Sequence, residues 1–207
     1  MSLEADLGRT SQRLYALGWM RGTSGNVSVR DRDGFLVTAS GVDKSSVDAS
    51  HAVRVDGTGR ALPGQAYAPS AEAQVHAAIL EASSAAAAVH VHALSSVVAA
   101  ARWPAGVPLS DVEQLKGIGR RAHGDRVVVP VVANSQDMAE LSERVVEAMD
   151  TGVPCVIVAE HGLYAWGSSL GDAVDRTESL DWLFEHALRL DALGRIVQNE
   201  VPAQEDQ

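Results

Sequence analysis

The sequence predicts an α/β domain with helices layered on a central sheet. From Ala71 onward, helical and strand-like hydrophobic periods alternate. The stretches that read as strands are short, rich in Val and Ile, and end at turn-forming residues. At 207 residues and 46% hydrophobic content, with no linker-like stretch, internal repeat or low-complexity segment, the chain is expected to form one domain over residues 1–207.

Residues 3–17 read as an amphipathic helix, with Leu3, Leu7, Leu14 and Leu17 at near-helical spacing, Ser2 as N-cap and Gly18 as the stop. Three strands, 27–30, 35–38 and 51–56, read as an antiparallel set, punctuated by turns at Asp33-Gly34 and at Gly57-Thr58-Gly59. The alternation then runs helix 71–82, strand 88–92, helix 95–101, strand 126–132, helix 138–149, strand 155–160 and a long helix 170–193. Residues 202–207 read as a frayed tail.

A net charge of -10 argues against nucleic acid or an anionic membrane as the main partner, since both reward clustered Lys and Arg. Cys155, the single cysteine, has no partner for an internal disulfide and reads as a packing residue in a reducing, cytoplasmic setting. The first residues, Met1-Ser2-Leu3-Glu4, lack the basic and apolar regions of a signal peptide. No apolar stretch reaches the roughly 20 residues that span a bilayer.

The most informative motif is His90-Val91-His92, at the end of a β-branched run. Side chains at i and i+2 of a strand share a side, and strand C-termini are where open α/β sheets build ligand crevices. A third imidazole, His161, closes another hydrophobic run, Val156-Ile157-Val158-Ala159-Glu160-His161, and is followed by Gly162. Three histidines at strand ends suit a borderline-soft divalent ion such as zinc, which takes imidazole nitrogen at about 2.0–2.1 Å. His51, His76, His123 and His186 sit in contexts that read as surface or packing positions.

Three loops offer donors to an anion: Thr23-Ser24-Gly25-Asn26, Thr38-Ala39-Ser40-Gly41 with Lys44 three residues on, and Pro69-Ser70-Ala71-Glu72 at a helix start. Together they supply neutral donors and one cation for a phosphorylated substrate without a Walker motif.

Taken in order, these loops, His90-Val91-His92 and His161-Gly162-Leu163 resemble the class II aldolase/adducin superfamily over roughly residues 10–190. Glu113-Gln114-Leu115-Lys116-Gly117-Ile118 and His161-Gly162-Leu163-Tyr164-Ala165-Trp166-Gly167 look most like its methylthioribulose-1-phosphate dehydratases. The resemblance implies a three-layer αβα fold around a mainly antiparallel or mixed sheet, with one zinc ion per subunit on His90, His92 and His161. It also implies Glu113 as acid/base, and Gly25, Asn26, Ser40, Gly41 and Ser70 around the substrate phosphate. Lys116 belongs to the matching dehydratase motif, and Glu72 matches an additional catalytic carboxylate of the aldolases. Val91 stands where the dehydratases usually have Thr, on the side away from the metal; Ala71 stands where many aldolases have a second Ser. The implied reaction is loss of water from a 2-ketose phosphate in methionine salvage, catalysed by a homotetramer with sites between subunits. A class II sugar-phosphate aldolase or epimerase of the fuculose-phosphate type is the alternative, and a metal-free adducin-like interaction domain is another. Trp103, Tyr164 and Trp166 are candidates to line a methylthio pocket, with core packing as the simpler role.

Overall fold

The computed structural model describes residues 2–32 and 34–194; Asp33 of the expected first turn and the expected tail at 202–207 lie outside the described residues. Helix α1 (Leu3–Ala16) starts where expected: the Ser2 side chain accepts from the Ala5 amide, and Leu7 and Leu14 are buried. Gly18 takes a left-handed φ of +82°, as a helix stop requires. Strands β1 (Asn26–Asp31), β2 (Gly34–Thr38) and β3 (Ala52–Asp56) form the expected antiparallel set. Helix α2 (Ala73–Ala82), strand β4 (Ala87–Val91) and helix α3 (Leu94–Arg102) follow.

The structure then departs from the expected alternation. The apolar stretch 126–132 is two strands, β6 (Arg126–Val129), paired with β5 (Val107–Ser110), and β7 (Val131–Val132), paired in parallel with β8 (Cys155–Val158). The break falls at Pro130, which has no amide hydrogen for a ladder. Its carbonyl instead accepts from the Ile157 amide at 2.9 Å. Helix α4 (Met138–Ala148) precedes β8, and Gly162–Gly167, expected only as a motif, is strand β9, which lies between β4 and β8. The long helix α5 (Leu170–Ala192) ends the described fold, and among the described residues no helix is long and apolar enough to cross a membrane.

The main sheet has seven strands in the order β3-β2-β1-β4-β9-β8-β7, antiparallel throughout except for β7 against β8. Register assigns each side chain to a face. Val27, Val89, Ala165 and Cys155 are paired neighbours across four strands and bury in one core with α1, α3 and α5. One residue along, Asn26, His90, Tyr164 and Val156 form the next lateral row, on the face covered by α2 and α4. This is the expected three-layer αβα arrangement, with a mixed sheet.

Gly162 lets β9 lie against β4: a Cβ there would stand 2.1 Å from the Val91 carbonyl oxygen. Gly162→Ala must push the two strands apart beside His161, and overpacking of this kind costs about 1–3 kcal/mol. The expected outcome is a lowered urea midpoint together with weakened metal uptake; a wild-type midpoint would contradict the close approach.

Candidate active site

His90 lies at the C-terminal end of β4, fully buried, with its ring stacked on Tyr164 at 4.3 Å between centroids. Its Nδ1 donates to the Leu163 carbonyl at 3.0 Å, which fixes the tautomer and leaves the Nε2 lone pair free. His92 follows the strand, its amide bonded to the Trp19 carbonyl, and its Nε2 comes within 3.0 Å of His90 Nε2. His161 sits in the short turn between β8 and β9 rather than at the end of a strand, preceded by Glu160 at a left-handed φ of +58°. A non-glycine residue in that region is strained by about 1–3 kcal/mol, a cost that marks places where a side chain is being aimed. One ring nitrogen from each histidine lies within 4.8 Å of the others.

Glu72, at the N-cap of α2, faces this cluster. Its Oε2 is 3.3 Å from His90 Nε2 and its Oε1 is 3.3 Å from His161 Nε2. Asn26 Nδ2 donates to Glu72 Oε2 at 2.6 Å, so Asn26 Oδ1 points the other way, towards His76 Nε2. A carbonyl oxygen only accepts, so His76 Nε2 carries the hydrogen and His76 Nδ1 accepts from Ser28 Oγ at 2.6 Å. Ser28, His76 and Asn26 thus form a buried hydrogen-bond chain that ends on the Glu72 carboxylate. His76 reaches it because it lies one turn after Glu72 on the same face of α2.

Burial works to raise the Glu72 carboxyl, but the facing His90, the amide of Asn26 and the nearby His161 and His76 act more strongly the other way, bringing its pKa to about 2. Burial pushes His90 down to about 3 and His76 down to about 4, with Glu72 opposing in both cases. The Asn26 amide, which donates to Glu72 Oε2, is the uncharged one of the groups that favour the ionised carboxylate. Three imidazoles with ring nitrogens within 4.8 Å of one another, two of them 3.0 Å apart, are a donor set that could hold a divalent transition metal.

A cavity of about 390 Å³ opens over the cluster, lined by Glu72, His92 and His161 and by all three anion-loop segments, including Gly25, Asn26, Ser40, Gly41 and Ser70. Gly25 and Gly41 adopt φ of +73° and +71°, as turns that bring backbone close to a ligand demand. A larger hollow of about 630 Å³ lies between α1 and the start of α5, at the other end of β4, and none of the three histidines lines it.

Not every expected residue joins this site. Glu113 opens a 3₁₀ turn (Glu113–Ile118) that packs Leu115 and Ile118 into the core shared with α5, and its exposed carboxylate pairs with Lys116 Nζ at 2.6 Å. Neither residue is among those lining the cavity. Asn26 lines it, yet both ends of its amide are engaged within the protein. Trp103, Tyr164 and Trp166 are not among the lining residues, whereas Met138 is. Cys155 is fully buried, as its packing role required. His51 caps a 3₁₀ turn with Asp48, and His186 stacks on Trp182.

Residues 5–188 match the model of the class II aldolase and adducin N-terminal domain. An L-fuculose-1-phosphate aldolase from Thermus thermophilus superposes with a TM-score of 0.76 at 25% identity, covering 93% of this chain and 98% of that one. The chain belongs to the class II aldolase and adducin N-terminal domain family. Within that family it is 36% identical over 196 residues to a protein of Methylococcus capsulatus named methylthioribulose-1-phosphate dehydratase, covering 92% of this chain and 95% of that one. It is also 38% identical over 198 residues to a Nocardia farcinica protein named as a probable bifunctional methylthioribose-1-phosphate isomerase and methylthioribulose-1-phosphate dehydratase. That match covers 89% of this chain, which spans 35% of the longer protein.

The neutral burial of His76 sets a pH dependence. Its folded pKa of about 4 lies below the ordinary 6.5, so the unfolded chain takes up the proton first as pH falls. The corresponding stability is fully present above about pH 6.5 and is lost towards pH 4, on the order of 3 kcal/mol at about 1.4 kcal/mol per pKa unit. Urea unfolding at pH 7 and pH 4 should show His76→Leu losing less stability than wild type by about this amount; equal losses would contradict the assignment.

Proposed function

We propose that this protein is a metal-dependent hydro-lyase that removes water from 5-methylthioribulose 1-phosphate to give 2,3-diketo-5-methylthiopentyl 1-phosphate, a step of methionine salvage. The observation that carries the reading is the ionised Glu72 held by Asn26 against three metal-competent imidazoles, in a family whose full-length relatives bear the dehydratase name. His90, His92 and His161 would hold the ion, and zinc suits a neutral three-imidazole set. Bound there, the ion supplies Lewis-acid polarisation of the C2 carbonyl, which makes the C3 hydrogen acidic.

The protein's own groups then carry the elimination. Glu72, ionised and fixed in orientation by Asn26, accepts the C3 proton. The electron pair released at C3 forms the C3–C4 double bond as the C4 hydroxyl departs, and Glu72 returns its proton to that hydroxyl, so water leaves and an enol remains. Ketonisation of the enol gives the 2,3-diketone. Gly25, Ser40, Gly41 and Ser70 hold the phosphate with neutral donors, and Met138 presents an apolar wall to the methylthio end. Asn26 acts through Glu72 in this reading and leaves the phosphate to its neighbours.

The exposed Glu113 and Lys116 stand on the α5 side of the chain. In the proposed homotetramer they complete a neighbouring copy's cavity, with Glu113 as the second candidate for the acid/base. The protein works in the cytoplasm in this reading.

Loss of a positioned acid/base costs typically 10²- to 10⁴-fold. Glu72→Gln is therefore expected to keep its metal and fold while losing turnover of 5-methylthioribulose 1-phosphate by that factor, measured by steady-state kinetics and metal analysis; near-normal turnover would overturn the assignment. Co-expressing Glu72→Gln with Glu113→Gln chains should restore part of the activity, because mixed tetramers then contain intact composite sites. No restoration would return Glu113 to its own chain's chemistry or to none.

A further inference from the structure

We propose that Lys44 is the cation that binds the phosphate monoester, and that it makes this group obligatory for substrates of the cavity; the inference rests on the reading of the site as a sugar-phosphate site. Lys44 is 2% exposed, one of the largest side chains buried in the protein. Its ammonium has one hydrogen-bond partner among the described residues, the Val42 carbonyl at 3.1 Å, and no carboxylate within ion-pair distance. The Asp43 carboxylate next in sequence accepts from the Ser45 amide at 2.9 Å. Asp43 acts on Lys44 only from beyond ion-pair distance, and a buried charge with no direct ion-pair partner is costly.

The surroundings define the ligand. Lys44 lines the same cavity as Ser40, Gly41 and Ser70, and it is the one lysine or arginine among the described residues that do so. The loop segments that carry those serines are joined by an isolated bridge: the Ser40 amide donates to the Ala68 carbonyl, and the Ser70 amide donates to the Thr38 carbonyl, both at 3.0 Å. The Lys44 amide donates to the Gly22 carbonyl at 3.0 Å, tying it to the loop that carries Gly25. One ammonium among hydroxyls and glycine amides is suited to a compact oxyanion, and a phosphate monoester supplies the direct ion-pair contact that this lysine does not have. Burial draws the Lys44 pKa downward, and an anion beside it would reverse that.

The test is binding of inorganic phosphate to the full chain, followed by calorimetry and by the rise of its thermal midpoint with phosphate concentration. Losing a charge-assisted contact should weaken phosphate binding roughly 10- to 100-fold in Lys44→Met, with Lys44→Gln as the second variant if Met disturbs folding. The midpoint of Lys44→Met without phosphate should be no lower than that of wild type, because an uncompensated buried charge has been removed. His161→Ala, titrated in parallel, separates phosphate held by the metal centre from phosphate held by Lys44, and it should still bind. Wild-type affinity in both Lys44 variants, no binding to wild type, or binding lost in His161→Ala alone would each overturn the assignment. Phosphate binding through Lys44 in a protein that fails to dehydrate its proposed substrate would sink the reaction and leave this inference standing.

Discussion

The hydrogen bond from Asn26 to Glu72 joins the sheet to the helical layer where the three histidines converge. It needs two structures in fixed register at once. Asn26 must be the neighbour of His90 across β1 and β4, and Glu72 must open α2 directly above them. A slip of one residue in β1 would turn Asn26 to the opposite face and bring Val27 under α2. The alternation of Val27, Ser28 and Val29 prevents it, because Val27 and Val29 belong to the core beneath α1 and α5, while Ser28 belongs to the chain that ends on Glu72.

The same constraint explains why so polar a cluster can be buried. His76, His90, Asn26 and Ser28 are each at most 4% exposed, and each has a partner that fixes which atom carries the hydrogen. A buried polar network stabilises only when its members are satisfied, and a single break leaves a desolvated group behind. Beside this network, His161 Nδ1 is buried without a hydrogen-bond partner among the described residues. That atom belongs to one of the three converging histidines. Lys44 is likewise buried on the other side of the cavity, with a charge in place of a neutral donor.

Much of this was legible in the sequence. The strand-end reading anticipates the convergence of His90, His92 and His161, although His161 lies in a turn, and Glu72 is singled out by the resemblance to the aldolases alone. His76 was read as a packing residue; the signal for more was its spacing of four from Glu72, which places two polar side chains on one helix face. Asn26 was read as a phosphate donor because a loop position says nothing about which protein groups compete for an amide. The strand at Gly162–Gly167 escaped because it is buried on both faces, so Leu163, Tyr164, Ala165 and Trp166 show no polar alternation. The break at Pro130 was visible as a missing donor but was outweighed by the unbroken valines around it. That Glu113 opens away from the cavity depends on how its 3₁₀ turn packs against Ser179 of α5, a contact 65 residues distant in sequence.

In the proposed reaction, Glu72 and a metal held by the three histidines remove water from a ketose phosphate and leave its carbon skeleton intact. The most direct measurement is to incubate the purified, metal-analysed protein with 5-methylthioribulose 1-phosphate and identify the products by mass spectrometry. A product lighter by one water, absent after chelation and restored when metal is returned, is the expected result. Three-carbon phosphate fragments would show instead that the site cleaves the C3–C4 bond as an aldolase does, and would contradict the account.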